Sequence, residues 1–124
     1  MICLYRLLRR DENPENGLIA KNPNSNVSVE EHVTNGSYGR ASRYISCCKS
    51  LDAARSFASH SVTRPRIIVE ILLDANTVID LTDEETRSML VQNETGRNYA
   101  RCFEEVLIEG YIPPECISIA QIIN

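Results

Sequence analysis

The chain has 124 residues, 43% hydrophobic and 24% charged, with 13 Lys and Arg against 17 Asp and Glu for a net charge of −4. That length supports one core and excludes two full domains, so residues 1–124 are expected to form a single domain. The composition is that of a folded chain rather than a disordered one, and no apolar run approaches the roughly 20 residues a membrane-spanning helix needs, so no membrane partner is expected.

Residues 2–8 are apolar around Tyr5 and Arg6 and predict a strand. A long stretch dense in Asn, Pro, Gly and Ser follows from Asp11 to Tyr38, within which Val29-Glu30-Glu31-His32-Val33 can form a helical turn. A second strand covers about 42–46, and Ser50 is placed to cap a helix near 51–60 by accepting a bond from a free first-turn N–H. Leu51, Ala54, Phe57 and Ala58 give that helix one apolar face. The β-branched run from Arg66 to Leu73 predicts a well-buried central strand, and Val78 to Leu81 a short one. Thr82-Asp83-Glu84-Glu85 fits a capping box, with Thr82 and Glu85 opening a helix that ends near Leu90. Residues 91–101 are polar and read as a loop. Cys102 to Glu109 and Ile117 to Ile122 close the chain as strands joined through Gly110-Tyr111-Ile112-Pro113-Pro114. The class is α+β.

Charge and cysteine usage narrow the chemistry. Between Arg40 and Arg66 six cations face a single acid, Asp52, whereas from Glu70 to Glu115 eleven acids face three arginines. A basic middle of this kind attracts phosphates, of a dinucleotide or of nucleic acid, or is simply a solvated face. The five cysteines, Cys3, Cys47, Cys48, Cys102 and Cys116, are odd in number and lack zinc-like spacing, which predicts reduced thiols and no metal. Met1 to Arg6 shows no charged leader followed by an apolar stretch, so a cytoplasmic protein, or one delivered into a target-cell cytosol, is expected.

Three separated segments carry the chemistry: Leu4-Tyr5-Arg6, Tyr44-Ile45-Ser46 and Glu104-Glu105-Val106-Leu107. Each lies in or beside a predicted strand, and together they supply a cation, a hydroxyl and a carboxylate. An acid at 105 inside Phe103–Ile108 departs from a plain buried strand, because burying a carboxylate without a partner is expensive. Tyr5-Arg6 is followed by Asp11-Glu12-Asn13-Pro14 and Gly17-Leu18, and then by His32. Tyr44-Ile45-Ser46-Cys47-Cys48 precedes the Ser50-capped, Ala-containing helix. Phe103-Glu104-Glu105-Val106 runs into Gly110-Tyr111-Ile112-Pro113 and Ile117. In order and spacing, over nearly the whole chain, this resembles the Arg–Ser–Glu signature of the cholera-toxin and heat-labile-enterotoxin group of mono-ADP-ribosyltransferases.

The resemblance implies a split β-sandwich of two small sheets flanked by short helices, with NAD as substrate and no metal. It implies that Arg6 holds the NAD phosphates, that His32 and Tyr44 contact the cofactor, and that Ser46 orients Glu105. Glu105 would stabilise positive charge as the nicotinamide glycosidic bond breaks. Arginine-modifying members carry a Glu two residues before the catalytic one, and the guanine-modifying pierisin and scabin group resembles the pattern with Gln there. Phe103 occupies that position here and cannot accept a hydrogen bond, although its ring can stack on an aromatic acceptor. Cys47-Cys48 stands where Thr-Ser is usual. The sequence therefore predicts a transferase with a non-arginine acceptor, protein or nucleic acid, in a toxin-like or effector setting. Two alternatives stay open: a catalytically silent module that binds NAD, ADP-ribose or a protein, and an unrelated α+β interaction domain. Oligomeric state is not legible.

Overall fold

The computed structural model describes residues 1–35 and 40–124. Its eight strands are β1 (Ile2–Leu7), β2 (Leu18–Ile19), β3 (Tyr44–Cys48), β4 (Arg66–Leu73), β5 (Val78–Asp80), β6 (Glu105–Glu109), β7 (Tyr111–Ile112) and β8 (Ile117–Ile123). The helices are α1 (Val29–Asn35), α2 (Leu51–Ala58), α3 (Glu84–Leu90) and α4 (Glu94–Cys102). Six strands form an antiparallel sheet in the order β5-β6-β3-β1-β4-β8, and β2 pairs with β7 in a second, two-stranded sheet.

The larger sheet is divided at its centre. β1 and β4 pair continuously from Ile2 with Leu73 to Leu7 with Ile68, and β3 and β6 from Tyr44 with Glu109 to Cys48 with Glu105. β1 and β3, by contrast, meet at one residue pair, Tyr5 with Cys48. Two three-stranded halves therefore hinge on a single contact and part beyond it.

Side-chain alternation distributes the core on either side of this division. Leu4, Cys47, Val69, Ile71, Val106 and Ile108 face the small sheet and pack with Leu18 and Ile112. The opposite, helix-bearing face holds two separate clusters. Val29, Val33, Tyr44, Leu81, Val91, Ala100 and Leu107 lie over the β5-β6-β3 half, and Leu7, Cys48, Ala53, Ala54, Ala58 and Ile68 over the β1-β4-β8 half. The site described below lies between these two clusters. The architecture is the expected split β-sandwich of two antiparallel sheets flanked by short helices.

Several local expectations change. Residues 91–101, read as a loop, contain α4, and β6 begins at Glu105 rather than Cys102. The polar composition concealed this helix because its buried face consists of Gly96 and Ala100, which add little hydrophobicity. Its N-cap is Asn93, whose side chain accepts from the Gly96 N–H at 2.6 Å. The Glu30 carboxylate accepts from both the Gln92 and Asn93 N–H groups and ties α1 to this helix start. The cap of α3 is Asp83, not Thr82, with its carboxylate accepting from the Thr86 N–H at 3.0 Å; Thr82 bonds Asp80 instead. The turn-rich stretch after Asp11 includes β2 and α1, and its final residues, 36–38, lie outside those described. Among the described residues no helix is long and apolar enough to cross a membrane.

Candidate active site

Arg6 stands at the division of the sheet. By alternation it shares a face with Leu4, and at this level no β1 backbone group pairs with β3. Its Nη1 donates instead to the Ser46 carbonyl at 2.6 Å, so the guanidinium joins the two halves where the ladder is interrupted. Its Nη2 donates to both Glu12 carboxylate oxygens at 3.1 Å. The pair is buried, with side chains 10% and 5% exposed, so each charge depends on the other for solvation. Glu12 also accepts from the Arg9 N–H at 2.8 Å, which fixes the turn after β1. Sequence reasoning did not single out Glu12; a buried arginine implies a carboxylate nearby, and the acidic turn six residues on was the available signal.

His32 comes from the middle of α1 and lies between two hydroxyls. Its Nδ1 is 2.6 Å from Ser42 Oγ and its Nε2 2.7 Å from Ser46 Oγ. Burial, followed by the Arg6 charge, lowers its pKa to about 4, so the ring is neutral at neutral pH. A neutral imidazole has one donor and one acceptor nitrogen. With the Ser46 O–H turned to the Glu105 carboxylate, Ser46 Oγ accepts from Nε2–H, and Nδ1 accepts from the Ser42 O–H, whose oxygen also accepts from the Tyr44 N–H. Ser42 is buried, was not identified from the sequence, and ends this chain of bonds on the far side of His32.

Glu105 is the first residue of β6, opposite Cys48 in the ladder. Burial raises its pKa to about 7, while the neighbouring Ser46 hydroxyl and the Arg6 charge pull it down without offsetting that effect. The carboxyl is thus poised between its two forms at neutral pH, as expected of a tuned functional group. The residue before it, Glu104, has φ of 49°, and its carboxylate and carbonyl accept from Ser50 Oγ at 3.0 Å and the Lys49 N–H at 2.9 Å. These bonds fasten the turn that presents Phe103 and Glu105 to the loop that follows β3. Cys47 and Cys48 also border the site, but burial pushes both thiols up to about 12, which leaves neither as a thiolate nucleophile.

A cavity of about 460 Å³ opens between the two halves and is lined by Arg6, His32, Ser46 and Glu105 together with Phe57, Tyr99 and Phe103. Its size lies in the range of small-molecule sites. Beyond His32 a smaller cleft of about 120 Å³ is lined by Tyr44, Lys21, Arg40 and Arg9. Tyr44 is buried with its ring edge toward His32, at a centroid distance of 5.8 Å. The structure thus gathers Arg6, His32, Ser46 and Glu105 around the main cavity and places Tyr44 behind them. No cluster of three metal-ligating side chains occurs among the described residues.

The divided sheet with short helices over each half is the fold of the cholera-toxin-like ADP-ribosyltransferases. The solved structure EcPltA superposes on this chain with a TM-score of 0.64, covering 98% of this chain and 84% of its own at 16% identity. No family model matches the sequence, and no curated protein is detectably similar to it in sequence.

Proposed function

We propose that the chain is an NAD-dependent mono-ADP-ribosyltransferase acting on a non-arginine acceptor, protein or nucleic acid. The observation that carries this reading is the convergence of Glu105, Ser46, His32 and Arg6 on one cavity from β6, β3, α1 and β1. NAD brings a glycosidic bond whose cleavage releases neutral nicotinamide and leaves positive charge on the ribose. Ionised Glu105 places a negative charge beside that position and accepts a hydrogen bond from the sugar, in a site where fixed groups replace water. Ser46, held by His32, orients the carboxylate, and Arg6 keeps the two halves of the sheet at the spacing the cavity needs. Arg6 Nε is a buried donor without a partner among the described residues, which fits a phosphate or ribose oxygen. Lys21 adds positive charge along the cleft beyond His32, where Arg9 and Arg40 are paired with Asp11 and Glu31, and this is the side suited to the adenosine diphosphate with His32 and Tyr44. Phe103 lines the cavity two residues before Glu105, where it offers a guanidinium no acceptor.

Nicotinamide release from NAD tests the reading. Wild type is expected to turn over with a rate that rises through pH about 7 as Glu105 ionises. Glu105→Gln should lose on the order of 100-fold or more while remaining folded. Equal rates in the two proteins would refute the assignment of Glu105. Saturable NAD binding without release by either protein would identify the silent module, the reading that Phe103 and the Cys47-Cys48 pair favour.

A further inference from the structure

Two features on the outer side of the cavity have no part in binding NAD as described. The first is an aromatic wall. Both phenylalanines of the chain, Phe57 and Phe103, meet there with Tyr99 and His60. The Phe57 and His60 rings stand edge-on to Phe103 at 5.3 and 5.9 Å, and Tyr99 lies nearly parallel to it, 16° between planes at 6.5 Å. Phe57 and Tyr99 remain 48% and 49% exposed, so the wall keeps aromatic surface open beside Glu105.

The second is a concentration of positive charge. Of the six cations between Arg40 and Arg66, four are neutralised: Arg40 by Glu31, Arg43 by Glu109, Lys49 by Asp80 and Arg55 by Asp52. Arg64 and Arg66 have no carboxylate partner among the described residues, and Arg10 joins them from the turn after β1. Arg10 Nη2 donates to the Arg64 carbonyl at 3.2 Å, and Arg66 Nη2 to the Leu8 carbonyl at 2.9 Å. Arg66 Nε is buried without a partner. Burial, then the charges of Arg64 and Arg10, lower the Arg66 pKa, so the three cations are close enough to repel. A cleft of about 390 Å³ lined by Arg9, Arg10 and Arg66 adjoins the main cavity through Arg9 and Arg66; the one acid lining it, Glu12, is committed to Arg6.

We propose that this side of the cavity receives a single-stranded nucleic acid as the acceptor, with a base stacked on the Phe103–Tyr99 wall and its flanking phosphates on Arg66, Arg64 and Arg10. For the transfer step this rests on the ADP-ribosyltransferase reading; for binding it does not. An acidic peptide would satisfy the arginines but leave the wall unused, whereas a nucleotide supplies a flat ring and an anion one linkage apart. A base inside a duplex cannot reach a recessed carboxylate without leaving the stack, which favours a single strand. In the transfer, the bond between ribose C1′ and nicotinamide breaks and its electron pair leaves with nicotinamide. A lone pair on a base nitrogen forms the new bond to C1′, and the proton from that nitrogen passes to the Glu105 carboxylate and on to solvent. Nothing is oxidised or reduced.

The test is fluorescence-anisotropy titration of labelled 12-nucleotide single-stranded RNA and DNA, without NAD, against wild type, Arg10→Gln/Arg64→Gln and Tyr99→Ala, with circular dichroism to confirm folding. Wild-type affinity is expected to fall with salt at a log–log slope of about −2, the value for three phosphate contacts on a single strand. The arginine variant should flatten that slope to about −0.7 and weaken binding roughly tenfold or more. Tyr99→Ala should weaken binding about fivefold or more with the slope unchanged. Absence of wild-type binding at low salt, or variants indistinguishable from wild type, would overturn the proposal. So would displacement of the oligonucleotide by ADP-ribose at stoichiometric occupancy, which would assign the arginines to the NAD diphosphate, or preferential binding of an acidic peptide, which would indicate a protein acceptor. None of these outcomes alters nicotinamide release, so failure here and failure of the transferase reading are separable.

Discussion

Glu105→Gln should stabilise the protein above neutral pH while it removes activity. Burial holds the Glu105 carboxyl at about 7, against 4.5 for the free group. Between those values the folded protein keeps a proton that the unfolded chain releases, so wild type loses stability as pH rises through the window, and the loss is complete above about 7. At roughly 1.36 kcal/mol per pH unit the full effect is about 3 kcal/mol, and water entering the open cavity reduces it toward about 2 kcal/mol. Glutamine keeps the shape and has no charge to desolvate. The variant is therefore expected to exceed wild type by about 2 kcal/mol at pH near 8 and to match it near pH 4. His32 acts in the opposite direction. Its pKa falls from 6.5 to about 4 on folding, so the protein loses stability as pH drops through that interval. The two effects nearly offset one another in wild type, and the variant retains only the His32 effect, so it alone should weaken on acidification. Urea unfolding followed by far-UV circular dichroism across this pH range measures both curves. A stability difference that does not change with pH, or a variant less stable than wild type at alkaline pH, would refute the reasoning.

Other substitutions probe the parts that hold the site. Glu12→Gln leaves the buried Arg6 guanidinium without a counter-charge and should cost about 3 kcal/mol in urea unfolding, far more than loss of an exposed pair such as Arg55 with Asp52. Ser42→Ala removes the donor to His32 Nδ1; nitrogen-15 NMR should show the ring's tautomer shift away from Nε2–H, with nicotinamide release falling about tenfold. Gly96→Ala should destabilise by about 1–3 kcal/mol despite alanine's better helix propensity. A Cβ there would lie 2.7 Å from Thr34 Oγ1 and 2.8 Å from Val91 Cγ1, between α1 and α4, and a lower thermal midpoint would show it.

The chain's periodicity and punctuation determined much of this molecule. The β-branched run of β4, the alternating apolar positions of β1 and the Ser50 cap of α2 are local signals, and each element formed where they placed it. Arg6 and Glu105 stood out as charges in apolar stretches, whereas His32 and Ser46 were singled out only by the resemblance; the structure brings all four to one cavity. α4 was not legible, since a helix that docks through Gly96 and Ala100 carries no apolar stripe. Nor were Glu12 and Ser42, whose importance comes from what they touch rather than from what surrounds them in sequence. Only the tertiary structure decided that β1 and β3 meet at one pair and then part, that Arg6 spans the opening, and that His32 is held neutral between two serines. It also decided which cations of the basic middle remain unpaired. Periodicity is a property of neighbours along the chain, whereas desolvation, charge pairing and hydrogen-bond polarity depend on groups brought together from distant segments.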